Sequence, residues 1–377
     1  LFKDISKRTN GDVYLGIVGA VRTGKSTFIK RFMELVVLPN IQNEHDRSRA
    51  HDELPQSAAG RTIMTTEPKF IPNQAVTIHI DEGLDVNVRL VDSVGYAVDG
   101  AKGFEDENGP RMIHTPWYED PIPFHDAAEI GTRKVIQEHS TIGIVVTTDG
   151  TIGEIPRSDY VEAEEKVINE LKEVGKPFIV IINSVRPTDQ DTELLRQQLA
   201  EEHDVPVLCI NVENMNEHDV YNVLRESLYE FPVLEVNVNL PSWVMVLKDN
   251  HWLKQNYEEA IQNTVKNIKR LRDVNDIVNE FSEYDYIDKA QLAGMQMGDG
   301  VAEIDLFAPP NLYEEILKEI VGEEIRGKDH LLALMQDFTH AKREYDQIAS
   351  ALQMVKSTGY GIAAPSVQDM VLDEPEI

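Results

Sequence analysis

Residues 13–27, VYLGIVGAVRTGKST, contain an apolar segment that runs directly into a glycine-rich turn. The turn fits the pattern GxxxxGKS from Gly19 to Ser26, and the residues after it have the apolar spacing of a helix. In this strand–loop–helix context the pattern predicts a phosphate-binding loop, because the glycines let backbone amides curl around a diphosphate at a helix N-terminus. With ordinary residue frequencies the pattern arises by chance in about one chain in a hundred of this length.

The loop supplies most of the candidate nucleotide ligands. Lys25 offers a point charge to the β- and γ-phosphates, and Ser26 offers a hydroxyl to Mg²⁺. Arg22 lies inside the loop and is either a cis-acting stabiliser of transition-state charge or a solvated side chain that packs over the loop. The predicted nucleotide-binding residues of the loop are Gly19, Ala20, Val21, Arg22, Thr23, Gly24, Lys25, Ser26 and Thr27.

A second element should supply an acid for the metal. The apolar run VNVRLVD, residues 86–92, ends in Asp92, and Ser93-Val94-Gly95 follow. An acid directly after a strand can hold Mg²⁺ through water, and the Gly95 amide can reach the γ-phosphate. Asp92 is therefore a candidate metal and catalytic residue.

A third element should lie between these two and contribute a threonine hydroxyl. Residues 60–68, GRTIMTTEP, contain Thr62, Thr65 and Thr66. We favour Thr65 and Thr66, because they stand just ahead of the next predicted strand. Thr66 joins the predicted metal ligands.

The residue after Gly95 is Tyr96, where many GTPases have the glutamine that orients the attacking water. Either another group positions the water or hydrolysis is slow. A long segment rich in glycine, proline and charge follows at 96–125, and its acids either orient water or are solvated. These acids are Asp99, Glu105, Asp106 and Glu107.

The site for the base is predicted at residues 178–187, FIVIINSVRP. In guanine-nucleotide proteins such a strand ends in Asn-Lys-x-Asp, and the aspartate accepts two hydrogen bonds from guanine. Here Ser184 and Arg186 occupy the lysine and aspartate positions. Because arginine cannot accept a hydrogen bond, adenine is the expected base. Asn183 and Ser184 are predicted to line this loop, with Asn183 tying it to the phosphate loop.

Strand-like and helix-like segments alternate through the first 235 residues, which favours an α/β fold with a mostly parallel sheet covered on both faces. The predicted strands are 13–19, 75–80, 86–92, 142–149, 178–183 and 205–212, and the predicted helices are 25–37, 158–175, 191–203 and 217–231. The pattern changes after Pro232. We therefore predict a P-loop domain at 1–236 and a smaller domain at 237–377, with extended structure at 233–247, a polar helix at 250–280, a strand at 301–307 and helices near 311–321 and 328–356.

Composition excludes several classes of protein. The chain has 377 residues and a net charge of −30, so its surface repels nucleic-acid backbones and anionic lipid heads. No run approaches 18 apolar residues, which argues against a membrane-spanning helix. The single cysteine, Cys209, is expected to be a small buried apolar side chain.

Several segments together resemble the stage IV sporulation protein A family over the whole chain. They are GAVRTGKSTF, GRTIMTTEPKF, LVDSVGY, GPRMIHTPWYEDPIPFHDAAEIGTRKVIQEHSTIG, VNLPSWVMVL and GYGIAAP. The resemblance implies a P-loop domain of the translation-factor (TRAFAC) GTPase type that binds and hydrolyses ATP with Mg²⁺, followed by an α+β middle domain. It also implies that Lys25 is the P-loop lysine, Thr65 and Thr66 the sensor segment, and Asp92 the Walker B acid.

The same resemblance implies a biological role. Members of the family self-assemble after ATP hydrolysis into the basement layer of the spore coat, in the mother-cell cytoplasm at the outer forespore membrane. A short amphipathic peptide recruits them to that membrane, so membrane contact is indirect, and coat proteins assemble on them without nucleic acid. A further C-terminal domain is expected beyond Ile377.

Two other functions stay open at this point. A GTPase switch would carry Asn-Lys-x-Asp and a basic RNA-binding face, and the sequence has neither. A scaffold that binds nucleotide without hydrolysing it fits the loss of the usual glutamine at Tyr96.

Overall fold

In a computed structural model the protein is described at residues 1–55, 69–81, 84–98, 101, 105–106, 109–115 and 118–363. The strands are β1 Asp12–Val18, β2 Lys69–Asp81, β3 Leu84–Asp92, β4 Glu105–Asp106, β5 Gly109–Pro110, β6 Met112–Thr115, β7 Tyr118–Pro123, β8 Ile142–Thr148, β9 Phe178–Asn183, β10 Val207–Ile210, β11 Glu235–Asn239, β12 Lys289–Gln296 and β13 Val301–Phe307. The helices are α1 Phe2–Thr9, α2 Lys25–Phe32, α3 Glu44–Asp52, α4 Phe124–Lys134, α5 Val161–Val174, α6 Gln190–His203, α7 Glu217–Tyr229, α8 Ser242–Met245, α9 Trp252–Val265, α10 Asp273–Glu280, α11 Pro310–Val321 and α12 Lys328–Thr358.

Six strands form the central sheet in the order β10-β9-β8-β1-β3-β2. Neighbouring strands are parallel from β10 to β3, and β2 runs antiparallel to β3. Every residue of β8 and β9 is buried, as strands covered by helices on both faces require. The predicted α/β architecture with a mostly parallel sheet is confirmed.

Two apolar clusters lie on opposite faces of this sheet. Along β9, Ile179 and Ile181 belong to one cluster, while Val180 and Ile182 belong to the other. This division follows from the strand geometry, because successive side chains point to opposite faces. Helices α2 and α7 contribute to the first cluster, and α5 and α6 contribute to the second.

The topology brings the polar ends of four parallel strands to one edge of the sheet. Since β1, β3, β8 and β9 are parallel neighbours, their carboxyl ends meet at the same edge, where ligands bind in open α/β sheets. Gly19 follows β1, Asp92 ends β3, Asp149 follows β8 and Asn183 ends β9. The segments that the sequence associates with phosphate and base therefore lie side by side.

The predicted helices of the first domain occur close to their expected positions. The helix predicted at 158–175 is α5 with a preceding 3₁₀ turn, and it ends at Gly175 in the left-handed conformation. The helix predicted at 25–37 is α2, which continues as a π-helical turn at Met33–Val37. Within the long segment at 96–125, the described residues form two small antiparallel ladders, β4 with β5 and β6 with β7.

Two predictions beyond Pro232 were wrong in detail. Within the extended segment predicted at 233–247, only the residues of β11 form a strand. Pro241 then occupies the N-cap position of the short helix α8. The single helix predicted at 250–280 is two helices, α9 and α10. At the break, the Asp273 carboxylate accepts from the backbone amides of Lys269 and Arg270, and so it satisfies donors of the segment that separates the two helices.

A second sheet of three strands has the order β11-β13-β12, with β11 parallel and β12 antiparallel to β13. The segment around Leu271 connects this region to the first: Leu271 is fully buried in the core cluster that contains α2 and α7. Its amide donates to the Phe231 carbonyl at 3.1 Å. Residues 1–307 accordingly form one compact unit.

A second compact unit begins at Ala308 and contains α11 and α12. Helix α12 has 31 residues, of which Ala351 is buried. Among the helices of the described residues, none combines the length and the apolar character needed to cross a bilayer.

Candidate functional site

The glycine-rich loop is bonded to the segment that follows β3. The Val21 amide donates to the Tyr96 carbonyl at 3.0 Å, and the Tyr96 amide donates to the Gly19 carbonyl at 3.2 Å. Inside the loop, the buried Thr23 hydroxyl donates to the Ala20 carbonyl at 3.0 Å. These contacts hold the loop in an open curve between β1 and α2, as a phosphate-binding loop requires.

Lys25 is buried beneath this curve, with 5% of its surface exposed. Its ammonium group donates to the Ala20 carbonyl at 2.6 Å and lies 3.4 Å from the Gly19 carbonyl. Burial lowers the pKa of Lys25 to about 8, and the charge of Asp92 opposes the change. The lysine is therefore mostly charged at neutral pH and is held against the loop that it would serve.

Ser26 and Asp92 form the candidate metal site. The Ser26 hydroxyl donates to Asp92 Oδ2 at 2.9 Å, while Asp92 Oδ1 is inaccessible to solvent and has no hydrogen-bond partner among the residues that the structure describes. Burial raises the pKa of Asp92, and the neighbouring Lys25 charge opposes that rise. A buried carboxylate oxygen without a donor costs free energy, and a hydrated cation would satisfy it.

The donor set fits Mg²⁺ held together with phosphate. No group of three His, Cys, Asp or Glu side chains suited to a metal occurs among the residues described. Mg²⁺ binds through one or two protein oxygens when phosphate oxygens and water complete its shell. Ser26 and Asp92 supply that number of protein ligands.

Two glycines are required by close approach as well as by backbone conformation. Gly24 has φ 99°, and a Cβ there would lie 2.3 Å from the Asn183 amide nitrogen. Gly95 has φ 93°, and a Cβ there would lie 2.4 Å from Lys25 Nζ. Any larger residue at Gly95 would push the segment after β3 away from the lysine.

Tyr96 is directed away from the loop and into the protein. It is 1% exposed, and its hydroxyl donates to a Glu170 carboxylate oxygen on α5. The other oxygen of Glu170 accepts from Arg133 at 2.9 Å. Burial raises the pKa of Tyr96, with the Glu170 contact acting in the same direction. Because its hydroxyl is buried and bonded to Glu170, Tyr96 is not placed to orient an attacking water and instead anchors the segment that begins at Gly95.

Asn183 connects the predicted base loop to the phosphate loop. Its amide nitrogen donates to the Thr23 carbonyl at 2.9 Å, and its amide oxygen accepts from the Val212 amide at 3.1 Å. Ser184 is fully buried beside it, and its hydroxyl accepts from the Arg186 amide at 3.0 Å. Through these bonds Asn183 joins the end of β9 to the phosphate loop.

The Arg186 side chain leaves this loop for solvent. It is 70% exposed and pairs with Asp189 at 3.2 Å. The position that carries the guanine-reading aspartate in other proteins therefore presents no hydrogen-bond acceptor here.

A carboxylate does stand nearby, at Asp149. Its Oδ1 accepts from the Thr151 amide at 3.0 Å and the Thr151 hydroxyl at 2.6 Å, and its Oδ2 accepts from Thr192 at 3.0 Å. Although burial acts to raise the pKa of Asp149, hydrogen bonds from Ser184 and these threonines hold it below the ordinary value. Its oxygens thus already accept from donors of the same protein, in the segment after β8 and on α6.

The remaining predicted residues fall into three groups. Arg22 lies in the loop with φ 65° and an exposed side chain, and its charge acts on the buried Tyr160. Thr27 is in the first turn of α2. Outside the described residues, or described only in their backbone, are Thr62, Thr65, Thr66, Asp99, Glu105, Asp106 and Glu107.

Sequence reasoning missed Asp149 and Glu170. Asp149 directly follows the buried strand β8, and Asp92 likewise stands at the carboxyl end of β3, so an acid at the end of a predicted strand was a usable signal. Glu170 is three residues after Val167 on the apolar stripe of α5 and is 8% exposed. An acid on such a stripe indicates a buried partner, although nothing in the sequence identifies that partner as Tyr96.

Comparison with known proteins accounts for the whole chain. The family model described as stage IV sporulation protein A, ATPase domain, matches residues 1–232, and the one described as its middle domain matches residues 233–377. Stage IV sporulation protein A of Bacillus anthracis is 74% identical over 377 residues, covering all of this chain and 77% of that protein. The proteins of that name from Bacillus subtilis (strain 168) and Clostridioides difficile (strain 630) are 73% and 47% identical with the same coverage.

Proposed function

The chain belongs to the stage IV sporulation protein A family and is a sporulation ATPase, and on that premise we propose that it hydrolyses Mg²⁺–ATP at the carboxyl edge of its six-stranded sheet. The observation that carries this site is the pairing of Ser26 with Asp92, which leaves one buried carboxylate oxygen with no donor in the described part of the chain; the charge of Lys25 acts on the same carboxylate. A cation and a triphosphate satisfy these groups together.

We propose that the residues of the loop divide the work as follows. The amides from Gly19 to Ser26 hold the phosphates, and Lys25 stabilises negative charge that develops on the β- and γ-phosphates. Ser26, Asp92 and Thr66 would hold Mg²⁺, which would supply positive charge to the phosphates. Thr65 and Thr66 act as the sensor of the γ-phosphate, and Arg22 stabilises transition-state charge in cis.

The geometry supports a second assignment, which concerns Gly95. Its amide would contact the γ-phosphate, and its position is fixed from both sides: by the Lys25 ammonium and by the buried Tyr96. Electrostatic stabilisation needs donors that are already in place before the reaction. Tyr96 would thus be a positioning residue that acts through Gly95.

We propose adenine as the base. Arg186 presents no acceptor to a guanine edge, and the oxygens of Asp149 already accept from Thr151 and Thr192. Asn183 and Ser184 would line the base side of the site. A switch that reads guanine is not favoured, since this loop offers no unoccupied carboxylate in the described part of the chain.

The translation-factor GTPase type of fold remains our proposal for the first domain. It is supported by the adjacency of β1, which leads to the phosphate loop, and β3, which ends in Asp92, with β2 antiparallel outside them. A domain boundary near residue 236, with an α+β middle domain at 237–377, also remains a proposal. The first compact unit extends to Phe307, because the Leu271 segment packs into its core.

By family resemblance, we further propose that the protein self-assembles after hydrolysis into the basement layer of the spore coat. Its place would be the mother-cell cytoplasm at the outer forespore membrane surface. A short amphipathic membrane-anchoring peptide would recruit it, and coat proteins would assemble on it. An adaptor suits a chain of net charge −30, which an anionic leaflet repels.

Phosphate release measured with ATP and with GTP tests the proposal. We expect Mg²⁺-dependent release from ATP, loss of release when the cation is chelated, and recovery when Mg²⁺ is restored. The double substitution Thr65→Ala with Thr66→Ala should preserve ATP binding and lower turnover, because the phosphate loop carries most of the affinity. Binding without any Mg²⁺-dependent release would instead indicate a scaffold in which nucleotide is structural.

A further inference from the structure

Helix α12 carries an apolar stripe with a strict repeat. Its members are spaced alternately three and four residues apart over the whole helix: Leu331, Leu334, Phe338, Ala341, Tyr345, Ile348, Leu352 and Val355. This is the heptad spacing of a coiled coil, in which alternate members occupy the a and d positions. A spacing that averages 3.5 residues drifts around a straight helix, so only a supercoiled partner can cover all eight members at once.

Most of this stripe is exposed. Phe338 is 53% exposed, Tyr345 56%, Ile348 43%, Leu352 37% and Val355 47%. An exposed apolar run of this length is unusual for a surface helix and marks an interaction site.

The residue of α12 that the chain itself buries lies beside the stripe. Ala351 is 8% exposed, and the backbone at Gly361 returns against its carbonyl. Ala351 occupies a g position, so this contact covers one flank of the stripe near its C-terminal end. The a and d side chains from Phe338 onward stay exposed, whereas Leu331 and Leu334 are half-buried.

We propose that α12 pairs with α12 of a second copy of this chain, as a parallel coiled coil in register. We choose a second copy as the partner because an acidic residue beside the stripe would face a basic residue of an identical helix. With Leu331 at position a, Asp337 is at g and Lys342 is at the following e position. In a parallel pair each g residue faces the next e residue of the other helix, so Asp337 of each copy faces Lys342 of the other, twice per dimer.

The charges also favour the parallel orientation over the antiparallel one. In an antiparallel pair, g residues face g residues, and Glu344, which is at g near the middle of the helix, would face its own copy. Like charges in direct opposition are destabilising. In the parallel arrangement Glu344 faces Ala349, which carries no charge.

The proposed function includes self-association, and this inference specifies a surface for it. In that respect the inference rests on the proposed function. It does not depend on ATP turnover, because the stripe belongs to the second compact unit and not to the nucleotide site. Phosphate release is therefore measured beside the oligomeric state in each experiment below.

The first experiment is sedimentation equilibrium of the 377-residue chain over a range of concentrations. We expect a reversible monomer–dimer equilibrium that Ile348→Lys with Leu352→Lys weakens at least about a hundredfold, since two charges per helix would enter the apolar seam. The matched control is Gln347→Lys with Gln353→Lys, which adds the same charge to the exposed c and b positions. The control should dimerise nearly as the unmodified chain does.

The second experiment tests the register. Lys342→Glu should weaken the dimer roughly tenfold, since it turns two attractions into repulsions. Adding Asp337→Lys should restore association to within a few-fold of the original, because the pairs re-form with reversed sign. In a Cys209→Ala background, Ala341→Cys should oxidise to a disulfide-linked dimer, and Gln336→Cys at the outward f position should not.

Several results would overturn the inference. A second copy does not cover the stripe if the chain is monomeric at high micromolar concentration. The same conclusion follows if Ile348→Lys with Leu352→Lys leaves the dimer unchanged. A large fall in melting temperature for that pair, without a change in mass, would indicate that another part of the same chain covers the stripe. If association fails while Mg²⁺-dependent ATP hydrolysis persists, only this inference is lost.

Discussion

The two ends of the proposed nucleotide site, the phosphate end and the base end, are built differently. At the phosphate end one buried carboxylate oxygen, Asp92 Oδ1, has no hydrogen-bond partner among the described residues. At the base end the polar groups bond to one another: Asp149 accepts from Thr151 and Thr192, and Ser184 accepts from the Arg186 amide. One end requires a ligand to complete it, whereas the other is complete by itself.

The difference follows from what each end must recognise. Every nucleoside triphosphate presents the same phosphates, so one set of glycines, lysine and hydroxyl serves all of them. A base is recognised by the donors and acceptors that the loop leaves available, and these depend on contacts made within the fold. The comparison predicts that substitutions at the phosphate end abolish chemistry, while those at the base end change preference.

The largest effect is expected from Lys25→Ala. It removes the buried charge at the phosphate end and should lower phosphate release at least about a hundredfold. Because burial lowers the pKa of Lys25 to about 8, the charged side chain stabilises the fold little, and the melting temperature should hardly fall. Lys30→Ala, on the same helix and outside the loop, is the matched control and should keep its turnover. Equal, slow release by Lys25→Ala and the unmodified protein would refute hydrolysis at this site.

Particular residues show how far the phosphate end could be predicted from the sequence. The motif from Gly19 to Ser26 and the acid at Asp92 were identified because their chemistry dictates their residue types. Lys25, Ser26, Asp92 and Gly95 are then brought together as expected. Thr65 and Thr66 stay predictions, because they lie outside the described residues.

The second effect tests the link between the two ends. Asn183→Ala removes one bond to the Thr23 carbonyl and one from the Val212 amide, both buried. Leaving two buried backbone groups unpaired should cost about 2–3 kcal/mol of unfolding free energy and weaken ATP binding about tenfold or more. Denaturant titration measures the free energy of unfolding, and nucleotide titration measures the affinity for ATP. Asn211→Ala, in the adjacent exposed loop, removes similar but exposed bonds and should change both quantities little.

Tyr96→Phe should have a smaller effect and acts on the phosphate end only. The change removes the hydroxyl that donates to Glu170, while Arg133 still donates to that carboxylate. We expect a loss of about 1 kcal/mol of stability and a three- to tenfold fall in the turnover number with little change in KM. Tyr257→Phe loses a comparable hydroxyl bond, to the Tyr286 carbonyl, and should lower stability alone. Matching losses of turnover in both variants would mean that Tyr96 is merely structural.

Tyr96 also shows where sequence reasoning stops. Its occurrence after Gly95 was recognised as a departure, and the sequence left open whether another group positions the water or hydrolysis is slow. Only the fold shows that the ring is buried against α5, since the partner, Glu170, is 74 residues away along the chain. Contacts of that sequence separation arise from how helices pack on a sheet, and no local pattern encodes them. The same limit applies to Asp149, whose donors come from Thr151 and from Thr192 on another element.

The smallest effect is the one that separates the two ends most clearly. Arg186→Asp with Ser184→Lys restores the residue types that read guanine and should raise the ratio of GTP to ATP affinity about tenfold, since charge-assisted bonds contribute about 1.5–3 kcal/mol each before losses from imperfect placement. The gain is limited because Ser184 is fully buried and a lysine there must displace its neighbours. Arg186→Ala, the control, removes the cation without adding an acceptor and should leave the ratio near its original value. Since Asn183 and the phosphate loop are unaltered, total affinity should change less than preference does. A ratio that the double substitution does not move would place the base away from this loop, and the self-satisfied polar groups around Asp149 would then have only a structural role.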